Sequence, residues 1–245
     1  MDRARAKTAL RSLGIFPQAR RWYRRIHPGL RRERAEERSF YRQFVEEGDL
    51  CFDIGANVGQ TTEALMGCKA RVIAVEPNPF CIPVLEWETR GYRDATIVEK
   101  AIGAAGGFAD LHFDGTDSTA SLRADWPYRG SETQRVSVTT LDELIAEFGP
   151  PKLCKVDVEG YEPEVFRGLS RPIPIIRFEF GRNELSKAME CLARIEEIGG
   201  IRAANLTEGT STTFAREDYT RTADLIEEIR RSDMVGGNII VKMDV

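Results

Sequence analysis

The stretch 50-LCFDIGANVGQTT-62 contains, within a few residues, an apolar run, a turn between two glycines and a helix-like pattern. Its first five residues form a short apolar run broken only by Asp53, which predicts a buried strand, and helix-compatible spacing then resumes. Gly55 and Gly59 bracket the change, and glycine allows both a sharp turn and a close approach of the backbone to a ligand. The pattern therefore predicts a strand, a turn and a helix whose free N–H groups face a nucleotide-type ligand.

A carboxylate follows the next predicted strand, RVIAV at residues 71–75. Glu76-Pro77 comes directly after that strand, where a βαβ unit holds the diol of a ribose. The turn 55-GANVG-59 lacks the second glycine of G-x-G-x-x-G, which lets a pyrophosphate approach the backbone. The sequence therefore disfavours a nicotinamide-dependent oxidoreductase.

Composition limits the class of protein. The chain has 245 residues, 42% of them hydrophobic, which is enough for the core of one large domain or of one domain with an appendage. Five cysteines, odd in number and without C-x-x-C spacing, disfavour a disulfide framework or structural zinc and fit a reducing compartment. Because no apolar run is long enough to span a bilayer, we expect a soluble, cytoplasmic protein.

Residues 1–38 are strongly basic, with twelve Lys and Arg side chains against four acids. Trp22, Ile26 and Leu30 recur at four-residue steps, so we predict a helical extension over residues 1–46, followed by one catalytic domain over 47–245. The extension either packs on the domain as a cap or contacts an anionic membrane face, a glycolipid or a phosphate-bearing substrate. Its apolar stripe also suits pairing with a second chain. No RNA-binding signature accompanies the charge, so a nucleic-acid partner is not expected.

Beyond residue 50, strands and helices alternate, which favours a parallel sheet with helices on both faces. Phe108 to Phe113 and Gln134 to Thr139 depart from this order and predict an antiparallel hairpin around a polar loop at 114–131. Thr140 and Glu143 have the spacing of a capping box and predict the start of a helix.

Charged residues alternate along two later strands. Lys155, Asp157 and Glu159 fall at every second position and are predicted to share one face of a strand, as are Arg177 and Glu179. Burying unused charges is costly. We expect Lys155 to serve an ion-pair network, whereas Asp157 and Glu179 lie near the carboxyl ends of strands, where open α/β sheets bind ligands.

Four motifs together resemble the FkbM family of S-adenosylmethionine-dependent methyltransferases, over about residues 48–182. The motifs are 53-DIGANVG-59, 75-VEP-77, 139-TTLD-142 and 155-KVDVEGYE-162. The resemblance implies the class I methyltransferase fold, which is α/β and Rossmann-like. Its seven-stranded sheet is mostly parallel with an antiparallel last strand, and here it would carry the hairpin and the N-terminal helical extension. It also implies methyl transfer to a hydroxyl of a sugar, a glycolipid or a polyketide-type natural product.

The resemblance assigns positions around the cofactor, S-adenosylmethionine. Those that would cradle its methionine part are Asp53, Gly55, Asn57 and Gly59. Glu76, followed by Pro77, would bind both ribose hydroxyls, Ala101 would lie beside the adenine, and Ser121 would lie near the cofactor.

Methyl transfer to a hydroxyl requires a base that takes up the proton. Asp157 and Glu179 are the leading candidates, and His112 is a third. No metal is expected, although Asp157, Glu179 and Asn183 all offer oxygen ligands. A competing interpretation is a non-catalytic scaffold that keeps the fold and docks on a partner through its basic N-terminus.

Overall fold

The structure, a computed structural model, describes residues 27–113, 120–126 and 132–244. The first half of the chain forms α1 (Pro28–Tyr41), β1 (Leu50–Ile54), α2 (Gln60–Gly67), β2 (Arg71–Val75), α3 (Ile82–Thr89), β3 (Ala95–Val98), β4 (Ala101–Ile102), β5 (Gly107–Phe113) and β6 (Ala120–Ser121). The second half forms β7 (Glu132–Thr139), α4 (Leu141–Phe148), β8 (Leu153–Val156), α5 (Glu162–Arg167), β9 (Ile175–Gly181), a short 3₁₀ turn (Arg182–Glu184), α6 (Leu185–Gly199), β10 (Ile201–Glu208), α7 (Thr222–Arg231) and β11 (Gly236–Met243).

Seven strands form the main sheet, in the order β10-β11-β9-β8-β1-β2-β3. All neighbouring pairs are parallel except those of β11, which runs antiparallel to both β9 and β10. The predicted mostly parallel sheet with an antiparallel last strand is thus confirmed. In chain order, β2 and β3 are added on one side of β1, and β8 is then added on the other side of β1. Such a reversal opens a crevice at the carboxyl ends of the two central strands.

The predicted hairpin is confirmed and belongs to a second, smaller sheet with the order β4-β7-β5-β6. β5 and β7 pair antiparallel from Gly107 opposite Val138 to Phe113 opposite Glu132. The inner face buries Leu111 and Phe113. Residues 114–119 and 127–131 of the predicted polar loop lie outside the described residues.

The N-terminal helix α1 is part of the domain core. Phe40 and Tyr41 are buried at its end, and the helix packs against α2. Phe44 and Val45 are also buried, although the helix ends at Tyr41, before the predicted end of the helical extension at residue 46. Residues 1–26, which carry most of the basic charge and two positions of the predicted apolar stripe, lie outside the described residues. Within the described part of the chain, no helix is long and apolar enough to cross a membrane.

The sequence also predicted a strand through residue 159, and this is wrong because β8 ends at Val156. The chain turns there, and Glu159 has a φ of 56°, outside the range of a strand. Glu162 stabilises the turn, since its Oε1 accepts hydrogen bonds from the backbone N–H groups of Val158 and Gly160, at 3.0 and 3.3 Å. Glu159 is therefore presented by a turn at the sheet edge.

A buried hydrogen bond joins α1 to the sheet. Arg177 on β9 donates from Nη1 to the Tyr41 hydroxyl at 2.7 Å, and its guanidinium lies 5.1 Å from the centre of the Phe40 ring. An unpaired buried charge is costly, so these aromatic contacts stabilise the position of the helix as well as the arginine.

Tyr41→Phe is expected to lower the free energy of unfolding by about 1.5–3 kcal/mol, because it removes the hydroxyl that accepts from a buried guanidinium. Urea denaturation monitored by circular dichroism measures the change. Tyr92→Phe is the matched control, since Tyr92 is exposed and its hydroxyl meets water. Equal stabilities for the two variants would contradict a stabilising role for this bond.

Candidate active site

Three parallel strands end at the same level of the sheet. Ile54 at the end of β1 pairs with Val75 of β2 on one side and with Val156 of β8 on the other. The residues that follow these three are Gly55, Glu76 and Asp157. Strand register therefore brings together a glycine turn and two carboxylates that are far apart in sequence.

The turn after β1 needs a glycine at its first position. Gly55 has a φ of 74°, and a Cβ built on it would lie 1.8 Å from the carbonyl oxygen of Asp157. Two positions later Asn57 also has a positive φ, 49°, a conformation that asparagine tolerates better than most residues. Its side-chain oxygen accepts from the backbone N–H of Val58 at 2.7 Å, so Asn57 shapes the turn as well as facing the cavity beside it.

Glu76 is buried at the end of β2 with both carboxylate oxygens in use. One accepts from the backbone N–H of Asn57 and the other from that of Asn78, each at 2.7 Å. Burial raises the pKa of Glu76 to about 7, although the two backbone donors oppose that rise. Each oxygen keeps a further lone pair for a ligand hydroxyl.

A first cavity opens at this edge between the main and the small sheet. Six of the eight residues predicted to surround the cofactor line it: Gly55, Asn57, Glu76, Pro77, Ala101 and Ser121. Asp157 lines it as well. The cavity has a volume of about 80 Å³, below the roughly 300–1,000 Å³ of ligand pockets, so a nucleoside requires its walls to move apart.

The other two predicted residues, Asp53 and Gly59, lie behind the cavity wall. Asp53 is fully buried and accepts from the Thr62 hydroxyl at 2.5 Å, a contact that fixes α2 on β1. Gly59 has a φ of 83°, and a Cβ there would lie 2.8 Å from Cδ1 of Leu85. Both residues shape the turn that carries the lining residues, and their direct contact with a cofactor stays a prediction.

Two carboxyl groups come together beside the end of β8. Val156 pairs with Phe178 of β9, so the residues that follow them, Asp157 and Glu179, stand side by side. Desolvation of the carboxyl group, reinforced by Asp157, raises the pKa of Glu179, although the residue as a whole is exposed. Burial also acts on Asp157, but the nearby Lys155 ammonium outweighs it and holds the pKa of Asp157 below its usual value.

A second cavity of about 670 Å³ adjoins the first, and Glu159 lines both. Glu179 faces this second cavity, together with Glu208 and an apolar wall that includes Phe180 and Val235. Of the cations near it, Lys187 pairs with Glu184 at 3.1 Å. Burial first, and then Asp157 and Glu162, raise the pKa of Glu159 to about 7. The cavity is large enough for a ring-sized ligand and is lined by hydrogen-bond acceptors.

His112 is not brought to the two carboxylates. Its neighbour Leu111 lines the first cavity, and because side chains alternate along β5, His112 points to the opposite face. Its Nδ1 lies 3.3 Å from the Thr133 hydroxyl across the hairpin.

Sequence reasoning missed Lys100 and Tyr161 as lining residues of the first cavity. Lys100 is the second residue after the third parallel strand, so its position near a strand end was a usable signal. Tyr161 is reached only through the turn after β8, which the sequence pattern did not predict.

An open, mostly parallel sheet with its cavity at the reversal and a carboxylate after the second strand defines an α/β domain for a nucleoside-type cofactor. The chain belongs to the FkbM methyltransferase domain family, whose model matches residues 53–216. Membership makes S-adenosylmethionine the cofactor.

Among proteins of similar sequence is the hexuronic acid methyltransferase AglP of Haloferax volcanii, 31% identical over 138 residues. The match covers 55% of each protein, so the chain spans about half the length of this relative. Similar solved structures include precorrin-6y C5,15-methyltransferase from Geobacter metallireducens, with a TM-score of 0.46 and 14% identity, covering 86% of this chain and 87% of that one. Aeropyrum pernix fibrillarin, in complex with natively bound S-adenosyl-L-methionine, has a TM-score of 0.45 and 12% identity, covering 81% and 68%.

The first cavity fits this cofactor chemically. Glu76 offers two oxygens to a diol, and Gly55 leaves space where any side chain would collide. Asp157 and Glu159 also line this cavity, and carboxylates suit a ligand that carries a positive charge.

Gly55→Ala is expected to lower the free energy of unfolding by more than about 3 kcal/mol, because it adds a backbone collision to an unfavourable φ. Gly48→Ala is the control, since Gly48 has a φ of 88° but nothing within 4 Å of a built Cβ. We expect it to cost only the left-handed strain of about 1–2 kcal/mol. Chemical denaturation of both variants measures the difference, and equal losses would contradict the close approach to Asp157.

Proposed function

We propose that this protein is an S-adenosylmethionine-dependent O-methyltransferase whose acceptor is a hydroxyl of a sugar or sugar-containing molecule. In this proposal the first cavity holds the cofactor and the second holds the acceptor. The proposal rests above all on Asp157, a carboxylate that lines the first cavity, lies 3.3 Å from the Lys155 ammonium and stands beside Glu179 of the second cavity.

The need for a base distinguishes a hydroxyl acceptor from a carboxylate acceptor. A hydroxyl has to lose its proton during transfer, whereas a carboxylate is already ionised at neutral pH. Carboxyl groups where the two cavities adjoin suit a hydroxyl acceptor. They disfavour a carboxylate acceptor, because an anionic acceptor would be repelled by the Asp157 carboxylate and would meet a further carboxyl group, Glu208, in the second cavity.

When bound, S-adenosylmethionine supplies a methyl group on a positively charged sulfur. Glu76 would bind the ribose hydroxyls, and the turn at Gly55 would lie against the cofactor. Asp157 would accept the proton of the acceptor hydroxyl when that hydroxyl oxygen takes up the methyl group. The cofactor would supply a leaving group that departs as a neutral thioether, so charge and protons balance.

A sugar acceptor suits the composition of the second cavity. Carboxylate oxygens accept hydrogen bonds from hydroxyl groups, and the apolar wall near Phe180 and Val235 suits the C–H face of a sugar ring. The relative AglP carries the name of a sugar-acid methyltransferase, which supports a carbohydrate acceptor in general.

Cofactor affinity is expected to rise with pH between 6 and 8, by about tenfold at most. The pKa of Glu76 is raised to about 7, so much of this residue is protonated at pH 6. Ribose hydroxyls donate best to the ionised form of Glu76. At low pH the cofactor therefore binds only when Glu76 loses its proton, and the free-energy cost of this loss disappears as the pH rises. Isothermal titration with S-adenosylmethionine measures the dependence.

Glu76→Gln tests the origin of that dependence. We expect it to bind more weakly at every pH and to show a smaller rise, with Glu159 accounting for what remains because its pKa is also about 7. Glu99→Gln, an exposed residue after β3, is the matched control and should titrate like the wild type. Identical pH slopes for wild type and Glu76→Gln would contradict the assignment of Glu76.

Asp157→Asn is expected to lower turnover by about 10²–10⁴-fold, the range for loss of a general base. The assay supplies a radiolabelled methyl donor with a panel of neutral, amino and acidic glycosides. Alkaline treatment of the product then separates a methyl ether, which is stable, from a methyl ester, which is hydrolysed. An alkali-labile product would exclude the hydroxyl acceptor.

Asp110→Asn is the control for this substitution, because Asp110 is exposed on the hairpin and faces neither cavity. It should retain wild-type turnover. Unchanged turnover in Asp157→Asn would remove Asp157 as the base.

A further inference from the structure

Lys155 on β8 is a buried ammonium that contacts both parts of the site. Its Nζ donates to the carbonyl oxygen of Gly55 at 3.0 Å. The same atom lies 3.4 Å from Oδ1 of Asp53 and 3.3 Å from Oδ2 of Asp157. The side chain is only 8% exposed, so water screens these contacts weakly.

Lys155 contacts only one of the two carboxyl groups. Lys155 forms an ion pair with Asp157, whereas no Lys or Arg among the described residues forms one with Glu179. Glu179 instead lines the second cavity with Glu159 and Glu162 and stands beside Asp157. Arg177, the register partner of Lys155 on β9, directs its guanidinium to Tyr41 on α1 and acts on Asp157 only at longer range.

Two carboxyl groups that stand side by side on neighbouring strands repel each other as anions, so the pair favours sharing one proton. The ammonium beside one of them decides where that proton resides. The carboxyl next to Lys155 is favoured as the anion, and the other is left as the acid that donates the hydrogen bond.

We propose that Lys155 is a positioning residue that places the shared proton on Glu179 and so leaves Asp157 as the free base. Its bond to the Gly55 carbonyl ties that base to the turn that holds the cofactor. The inference rests on the proposed function, since Asp157 acts as a base only if methyl transfer to a hydroxyl takes place.

Two consequences follow for the reaction. Glu179 donates its O–H to one oxygen of Asp157, which orients the remaining lone pairs toward the acceptor. The proton that leaves the acceptor hydroxyl therefore goes to Asp157, and Glu179 keeps its own proton during the transfer.

Carbon-13 NMR of side-chain carboxyl groups in the full-length protein tests the proton assignment directly. Asp157→Asn and Glu179→Gln identify the two resonances. In the wild type we expect the Asp157 resonance to be that of a carboxylate at pH 7 and the Glu179 resonance to be that of an acid. The reverse order, or two ionised groups at pH 7, would overturn the proposal.

Substitution of Lys155 tests whether its charge determines which carboxyl group is protonated. Lys155→Met should shift the titration midpoint of Asp157 upward by about one to three pH units, the effect of losing an adjacent opposite charge. Lys155→Arg keeps the positive charge, so Asp157 should still titrate at a lower pH than Glu179. Lys152→Met, an exposed lysine just before β8, is the matched control and should leave both midpoints unchanged.

The test separates this inference from the proposed function. The titration uses neither acceptor nor methyl transfer, so a protein that shows the expected order but methylates no hydroxyl contradicts only the function. A protein that methylates hydroxyls but titrates in the reverse order contradicts only the role of Lys155. If Lys155→Met does not fold, the wild-type titration and Lys155→Arg still decide the outcome.

Discussion

The site depends on the register of three parallel strands. Because Ile54 pairs with both Val75 and Val156, the residues after these strands arrive at one edge without any long loop to position them. Each is then held by the backbone hydrogen bonds of a buried sheet, which is the most rigid part of the domain. The site thus inherits its geometry from the core, and only its outer walls are free to move.

The two cations buried beneath this edge, Lys155 and Arg177, have different acceptors. Lys155 links Asp53 and Asp157 directly under the turn, whereas Arg177 reaches away from the site to Tyr41 on α1. Each cation has its own acceptor, so neither is left to attract a ligand. The negative carboxyl groups of the cavities are consequently balanced only in part, which leaves the site ready for a cation such as the sulfonium of the cofactor.

Much of the fold and of the site could be predicted, because strand ends, glycine turns and capping residues are recognisable from short stretches of sequence. Gly55 and Glu76 were predicted from their positions after apolar runs, and Thr140 caps α4 as its spacing indicated. The turn at Glu159 was missed because alternation of valines and charges continues past the end of β8, where Val158 still packs on the core. The contacts of Lys155 depend on which strands become neighbours, and no local pattern encodes that register.

The close approach at Gly55 has a thermodynamic consequence. With no side chain between them, the cofactor turn and the carbonyl of Asp157 are in direct contact and cannot shift independently. The backbone of Asp157 leads within two residues to Glu159, which lines both cavities. Any coupling between ligands in the two cavities would be reciprocal, so each ligand would change the affinity of the other by the same factor. A missing side chain in this way links the turn at one cavity to the segment that both cavities share.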